Sequence, residues 1–285
     1  MSRGTARPGG ASGGPGQTPG AGPPFRLYGA VGPNWTGVRA LLRRELRRYR
    51  KEAAETLLAP AFSTVVYIAV FVLALGPDHR SDEGRSVLDF LVPGLVMFAA
   101  LHRAAETTAF SILFQKIEHT LSDILSAPLS AGETCAAFVL AGLFSGLATG
   151  GVVLAAAQVL RPLPPADPVA ALLFAAGGSL MLSLWGMLVG IWAERWDHMA
   201  AAFGFVLVPL AYLSGVFAPI DTLPPILQAA MRVNPLHYAI DGFRGAFLGA
   251  GTEPAWRCAA VVAGTSFGLW VLVDRLLRRG WRLKG

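Results

Sequence analysis

Residues 199–220 read MAAAFGFVLVPLAYLSGVFAPI, a run without a single Asp, Glu, Lys, Arg or His. A membrane-spanning helix needs about 20 predominantly apolar residues, so this run is long enough to cross a bilayer. The chain then continues as DTLPPILQAAMRVNPLHYAIDGFRGAFLG (221–249), with Pro219, Pro224, Pro225 and Pro235 interrupting it. Backbone broken by prolines near membrane depth is tolerated only where it is buried in protein or lines a wet cavity. The segment 209–249 is therefore where function is to be sought.

Three further runs, 56–77, 134–160 and 168–193, are equally free of charge, and a shorter one, 258–273, needs residues 254–257 to complete a span. The 285-residue chain is 53% hydrophobic and only 15% charged, against about 25% charged in a soluble domain. These runs make it an all-α, multi-pass membrane protein. Val87–Ala105 is the least apolar candidate, with a centre, FLVPGLVMFAAL (90–101), flanked by Asp89, His102 and Arg103. Topology argues for counting it. The N-terminal flank (Arg39, Arg43, Arg44, Arg47, Arg48, Arg50, Lys51) and the tail (Arg275, Arg278, Arg279, Arg282, Lys284) are both basic. The positive-inside rule then puts both ends in the cytoplasm and requires an even number of spans. Six spans result, at about 56–77, 87–107, 134–160, 168–192, 199–219 and 254–275. They leave eighteen of the 24 Lys and Arg inside. The net charge of +6 reflects this bias rather than a nucleic-acid patch.

Residues 1–24, rich in Gly and Pro, form a low-complexity tail that cannot bury enough surface to fold, and they lack the apolar core of a signal peptide. Residues 25–55 form a linker and a helix, with Asn34 as its N-cap. Trp35, Val38, Leu42, Leu46 and Tyr49 recur every three or four residues, with arginines on the other face. That is the pattern of an interfacial helix lying on an anionic leaflet. Residues 56–285 then make up the membrane domain. Between the second and third spans, FQKIEHTLSDILSAPLS (114–130) sets Phe114, Ile117, Leu121, Ile124 and Leu125 on one helical stripe. Lys116, Glu118, His119 and Asp123 lie elsewhere on it, and the helix should stop near Ala127, ahead of Pro128. Its acidic character around Glu118 and Asp123 favours a protein partner over anionic lipid. Gly142, Gly146 and Gly150, and likewise Gly186 and Gly190, keep a four-residue spacing that suits close helix packing within the bundle.

Chemistry is conspicuous by its absence. A phosphate-binding loop needs Gly-Lys-Ser/Thr, and the three lysines, Lys51, Lys116 and Lys284, follow Arg50, Gln115 and Leu283. HExxH, CxxC and GxSxG are all missing, and Cys135 and Cys258 suggest neither a disulfide nor a metal site. An ion-coupled secondary carrier, the alternative reading, would need buried titratable groups and often inverted repeats. The deep positions of the four long spans carry no such groups, and Arg103–Glu106 suits a helical i, i+3 pair.

DFLVPGLVMFAAL (89–101), KIEHTLSDILSAPLS (116–130) and the signature-like stretch 205–249 together resemble the permease subunit of a type-2 ABC transporter. The likeness covers about residues 35–284 and is nearest to bacterial multidrug, polysaccharide and lipooligosaccharide export permeases. His102-Arg103-Ala104-Ala105-Glu106 departs from it, standing where small and amide residues are expected. The resemblance implies a permease of the bacterial cytoplasmic (inner) membrane that works with a second permease copy, as homodimer or heterodimer. It implies a separate ATP-binding subunit that binds ATP and Mg, with no cofactor in this chain. Under it, residues 114–127 form the coupling helix and 35–52 the elbow helix. Residues 220–249 form an outer re-entrant helical hairpin between spans five and six, carrying Asn234, Pro235, Tyr238, Asp241 and Arg244. Asp241 and Arg244, three apart, are expected to pair or to meet substrate.

Overall fold

The computed structural model describes residues 34–51, 53–75, 87–121, 129–160, 162–217, 223–249 and 251–280, and these contain helices and no strand. Helix α1 spans Trp35–Lys51, α2 Ala53–Leu75, α3 Val87–Ile117, α4 Ala131–Leu160 and α5 Pro168–Trp192. The region of the fifth expected span is broken into α6 (Trp196–Ala202), a π turn (Phe203–Leu207) and α7 (Val208–Tyr212). Then follow α8 (Pro225–Val233), α9 (Pro235–Leu248) and α10 (Ala255–Arg279). Four helical stretches, 88–117, 131–160, 168–192 and 255–279, are long and apolar enough to cross a membrane, and 57–70 is a shorter apolar helix.

The least apolar candidate span turns out to be the centre of the molecule. Helix α3 runs for 31 residues and is packed between α4 and α5; Met97, Leu101, Ala104, Ala105 and Ala109 are wholly buried. Its neighbours make room by omitting side chains. A Cβ on Gly186 or Gly190 of α5 would fall onto the backbone carbonyls of Ala105 and Ala109. On α4, a Cβ at Gly146 would lie 2.8 Å from the Ala100 carbonyl, and one at Gly142 would strike the Thr108 hydroxyl. In lipid, apolar tails compete with apolar side chains for every surface, so close backbone approach is a main source of helix association. The spaced glycines therefore serve packing within the bundle.

Local signals set the helix ends. Ser130 and Glu133 form a capping box: the Ser130 amide donates to Glu133 Oε2 at 2.7 Å and the Glu133 amide to Ser130 Oγ at 3.3 Å. The same carboxylate accepts from the Asn34 amide, tying the start of α1 to the start of α4. Asn34 caps α1 as expected, its Oδ1 accepting from Gly37 N at 3.0 Å. Asp167 caps α5 through the amides of Val169 and Ala170, both at 3.0 Å. The π turn has its cause in Pro209. A proline lacks the amide and crowds the carbonyl four residues back; here the Val208 amide reaches past to Phe203 O, one extra residue being accommodated. Past Tyr212 the chain turns at Gly215, with φ of 82°, well short of the expected end at 219.

The core is divided between the two ends of the bundle. At the α1 end, Val38, Leu41, Leu121, Leu129, Phe138 and Leu277 cluster together. At the opposite, hairpin end, Phe174, Val216, Leu236, Phe243 and Phe247 belong to the larger cluster. Helix α1 does not follow the expected stripe. Val38, Leu41 and Glu45 are its buried positions; Leu42, Leu46 and Tyr49 are half-buried and Trp35 is 64% exposed. Between its contacts with Glu133 and with Ser145 and Thr149, α1 keeps beside α4 for roughly 22 Å. Its apolar side faces protein.

Replacing Gly186 by Ala should lower the melting temperature in detergent, with a loss of about 1–3 kcal/mol from overpacking. The matching change Gly151→Ala, which meets nothing within 4 Å, should leave it unchanged; equal behaviour of the two would refute the tight α3–α5 contact.

Candidate functional site: two polar ends of one bundle

At the α1 end, the expected coupling residues fall into two groups. Phe114, Lys116 and Ile117 form the last turn of α3 rather than the start of a new helix. The chain then breaks at 118–120, with His119 at a φ of 56°, and a helix running unbroken from 114 to 127 is thereby ruled out. Phe114 and Ile117 are exposed at 38% and 37%, Glu118 is exposed, and Leu121 is buried in the cluster at this end. Asp123, Ile124 and Leu125 lie outside the described residues. Lys116 is buried, its ammonium donating to Ile191 O at 2.8 Å and Ala193 O at 2.6 Å. The last carbonyls of a helix have no intrahelical donor and carry its negative end, so a lysine from α3 closes the C-terminus of α5.

A second polar bond set joins α1 to α3, and it centres on a residue the sequence reading passed over. Glu45 sits among arginines, where a lone acid looks like part of a solvated face, yet its side chain is only 3% exposed. Its oxygens accept from Arg44 and Arg48, each at 2.9 Å, and from Ser111 Oγ on α3. Arg44 also donates to Gln115 Oε1 at 2.8 Å. A buried carboxylate is tolerated when charge and hydrogen bonds both compensate it. Beside it lies a small cavity of about 140 Å³ lined by Glu45, Arg48, Tyr49, Arg103, Glu106, Thr107 and Phe110. Arg103 and Glu106 form the expected i, i+3 pair at 2.9 Å, and the Arg103 guanidinium lies 5.6 Å from the Tyr49 ring.

At the hairpin end, α9 is held by α5, α10 and α3, and its polar side chains reach for backbone. Asn234 caps α9 by accepting from Leu236 N at 3.0 Å, with Pro235 at the first helical position. Its amide nitrogen donates to Leu210 O at 2.7 Å and Leu213 O at 3.1 Å. His237 Nδ1 lies 3.1 Å from Ser214 O; a carbonyl can only accept, so Nδ1 carries the proton. Arg244 donates through Nη2 to Gly215 O at 2.7 Å and through Nε to Phe90 O at 3.1 Å, its guanidinium 3.6 Å from the Phe90 ring centre. Three side chains of α9 thus take up the carbonyls that α7 leaves open where it ends. Gly94 is the floor of this contact, since a Cβ there would lie 2.8 Å from Arg244 Nη2.

Asp241 and Arg244 do not pair with each other. Asp241 is 1% exposed and accepts from Thr252 N at 3.1 Å and Glu253 N at 2.8 Å, fastening the loop that leads into α10. Helical spacing permits an ion pair, but two backbone amides and two backbone carbonyls compete for these charges and win by satisfying groups that would otherwise be buried alone. Tyr238 donates to Arg232 O at 2.8 Å and ties α8 to α9. Among the described residues no three His, Cys, Asp or Glu side chains gather in a metal-binding arrangement.

Asp241→Ala strands two amides at about 1–3 kcal/mol each and should lower the melting temperature in detergent, with Asp241→Asn falling between it and the parent. Glu45→Ala should likewise destabilise, because it removes the carboxylate that joins Arg48 of α1 to Ser111 of α3.

Residues 36–248 match the protein family described as ABC-2 type transporter. Over 250 residues, covering 88% of this chain and 98% of the relative, the protein is 29% identical to the inner membrane transport permease YadH of Escherichia coli (strain K12). It is 29% identical over 231 residues to nodulation protein J of Rhizobium leguminosarum bv. trifolii, covering 76% of this chain and 82% of the relative. Nodulation protein J of Neorhizobium galegae is 27% identical over 227 residues, with 76% and 82% covered. The family match spans both the Glu45 cluster and the clamp of α9 on the end of α7: the chain belongs to the ABC-2 type transporter family and is a membrane component of a transporter.

Proposed function

We propose that this chain is the permease subunit of an ATP-driven exporter in a bacterial cytoplasmic membrane, forming the translocation path and coupling to a separate ATP-binding subunit that holds ATP and Mg. The path is completed by a second permease, identical or not. The name of the Escherichia coli relative supports the membrane assigned. Helix α2 and the broken α6–α7 segment supply two further crossings beside the four long apolar helices, giving six with both termini cytoplasmic.

The observation that carries this reading is the construction of the α1 end. Helices α3 and α4, at 31 and 30 residues, exceed the ~20 residues of a span by about ten. On this reading their surplus turns belong to the side where Ser111 and Glu133 meet α1. Phe114 and Ile117 are exposed there on a helix braced by Lys116 to α5 and by Ser111 and Gln115 to α1. Apolar side chains presented on a rigid polar frame suit a protein partner better than lipid. Force applied by an ATP-binding subunit at this tip would pass directly into the central helix. The clamp of α9 on the end of α7 then belongs to the outer side, where it shapes the exit.

Purification of the tagged chain from membranes of its native host should bring down a subunit with ATPase activity. The double change Phe114→Asp and Ile117→Asp should cut that recovery at least tenfold, or ~1.4 kcal/mol, with the melting temperature of the permease unchanged. Recovery that survives the substitutions would sink the assignment of this tip.

A further inference from the structure

The outward face of α1 gathers five cationic side chains around one groove. An open groove of about 550 Å³ is lined by Ala40, Arg43, Arg44, Arg47, Arg48 and Lys51. Arg43, Arg47 and Lys51 follow one another at four-residue intervals, and Arg44 and Arg48 form a second file beside them. Neighbours at this spacing stand about 5–6 Å apart, so the two files put several donors around one point. In the sequence Glu52 follows Lys51 directly; within α1 itself the acid is Glu45. It is buried on the inner side and already shared by Arg44 and Arg48, which holds those two guanidinium groups in place. Among the described residues, Arg43, Arg47 and Lys51 have no carboxylate partner.

What borders the groove is as informative as what lines it. Lys51 ends α1 and Ala53 begins α2. Leu58 and Phe62 on α2 are 63% and 70% exposed, and Tyr67, Val70 and Leu73 continue that exposed apolar wall. In a membrane protein such a wall faces acyl chains. The cationic groove therefore lies close along the chain to that apolar wall, Lys51 standing seven residues before Leu58. That is the geometry of a single amphipathic ligand, with its anionic head in the groove and its tails along α2. Guanidinium groups suit phosphate oxygens because their planar fork donates in pairs.

We infer that this groove is a binding site for the phosphodiester headgroup of an anionic phospholipid, with the acyl chains lying against Leu58 and Phe62. The inference differs from a helix floating on a charged surface. The apolar stripe of α1 is occupied by α3 and α4, so the polar side, rather than the apolar one, meets lipid. It rests on the reading of the chain as a membrane protein and is independent of the ATP-binding partner.

The test uses the full chain in a neutral detergent. Dioleoyl phosphatidylglycerol, dioleoyl phosphatidylcholine and inorganic phosphate are each added, and the melting temperature is followed. Phosphatidylglycerol should raise it by several degrees, with the shift falling as salt approaches 0.5 M, while phosphatidylcholine and inorganic phosphate at equal concentration leave it unmoved. The triple change Arg43→Gln, Arg47→Gln and Lys51→Gln should abolish the phosphatidylglycerol shift and keep the parent's melting temperature in phosphatidylcholine, because these side chains hold nothing in the fold. A shift retained by the triple variant would overturn the site, as would an equal shift with phosphatidylcholine. An equal shift with inorganic phosphate would overturn the lipid in favour of a free anion. Recovery of ATPase activity with the triple variant reads the partner interaction separately, so failure of the lipid site leaves the coupling tip to stand or fall by its own measurement.

Discussion

Helix α3 can occupy the centre of this bundle only because α4 and α5 present bare backbone to it. A membrane offers no hydrophobic gain for burying one apolar helix against another, since lipid tails receive the same side chains equally well. What remains is contact density, and that is greatest where Gly142, Gly146, Gly186 and Gly190 let carbonyls and Cβ atoms of α3 sit directly against a neighbouring backbone. Everything else in the fold hangs from this three-helix stack. Helix α1 is laid along the α3–α4 side, α9 is wedged across α3, α5 and α10, and both polar ends are assembled from residues that α3 brings into place.

A second regularity runs through both ends: charged side chains here serve backbone more than one another. Lys116 closes the C-terminus of α5, Arg244 takes carbonyls from Phe90 and Gly215, and Asp241 takes two amides. Breaking a helix at membrane depth leaves peptide groups with no water to satisfy them, and each costs several kcal/mol if left alone. The long polar side chains of α9 and α3 supply the missing partners. They hold the interrupted region of α6, α7 and α8 in one shape while leaving its backbone irregular.

The sequence was most legible where a single helix face or terminus decides the outcome. The charge-free runs located α4, α5 and α10, while the run 199–220 proved broken; the proline-rich stretch located the short helices α8 and α9, and the glycine spacings located the packing seam. It was least legible where burial in protein replaces burial in lipid. Helix α3 read as the poorest span because Asp89, His102 and Arg103 flank a short apolar centre, yet Arg103 finds a protein partner in Glu106. Glu45 was invisible for the converse reason: its role depends on Ser111, far away in sequence. The i, i+3 spacing of Asp241 and Arg244 invited a pair, and nothing local could reveal that their partners lie at 90, 215, 252 and 253. The break after Ile117 is also a tertiary effect, since α3 continues until Lys116 has reached the end of α5.

Helix α3 touches both polar ends, with Phe90 and Gly94 under Arg244 and Lys116 at the far tip. Its 31 residues make a rod of roughly 46 Å. A rod fulcrumed at the glycine seam near its middle acts as a first-class lever: tilting it by about 5° swings each tip by roughly 2 Å in opposite directions. A shift of two ångströms along the bond axis would carry the 3.1 Å hydrogen bond from Arg244 to Phe90 O past bonding range.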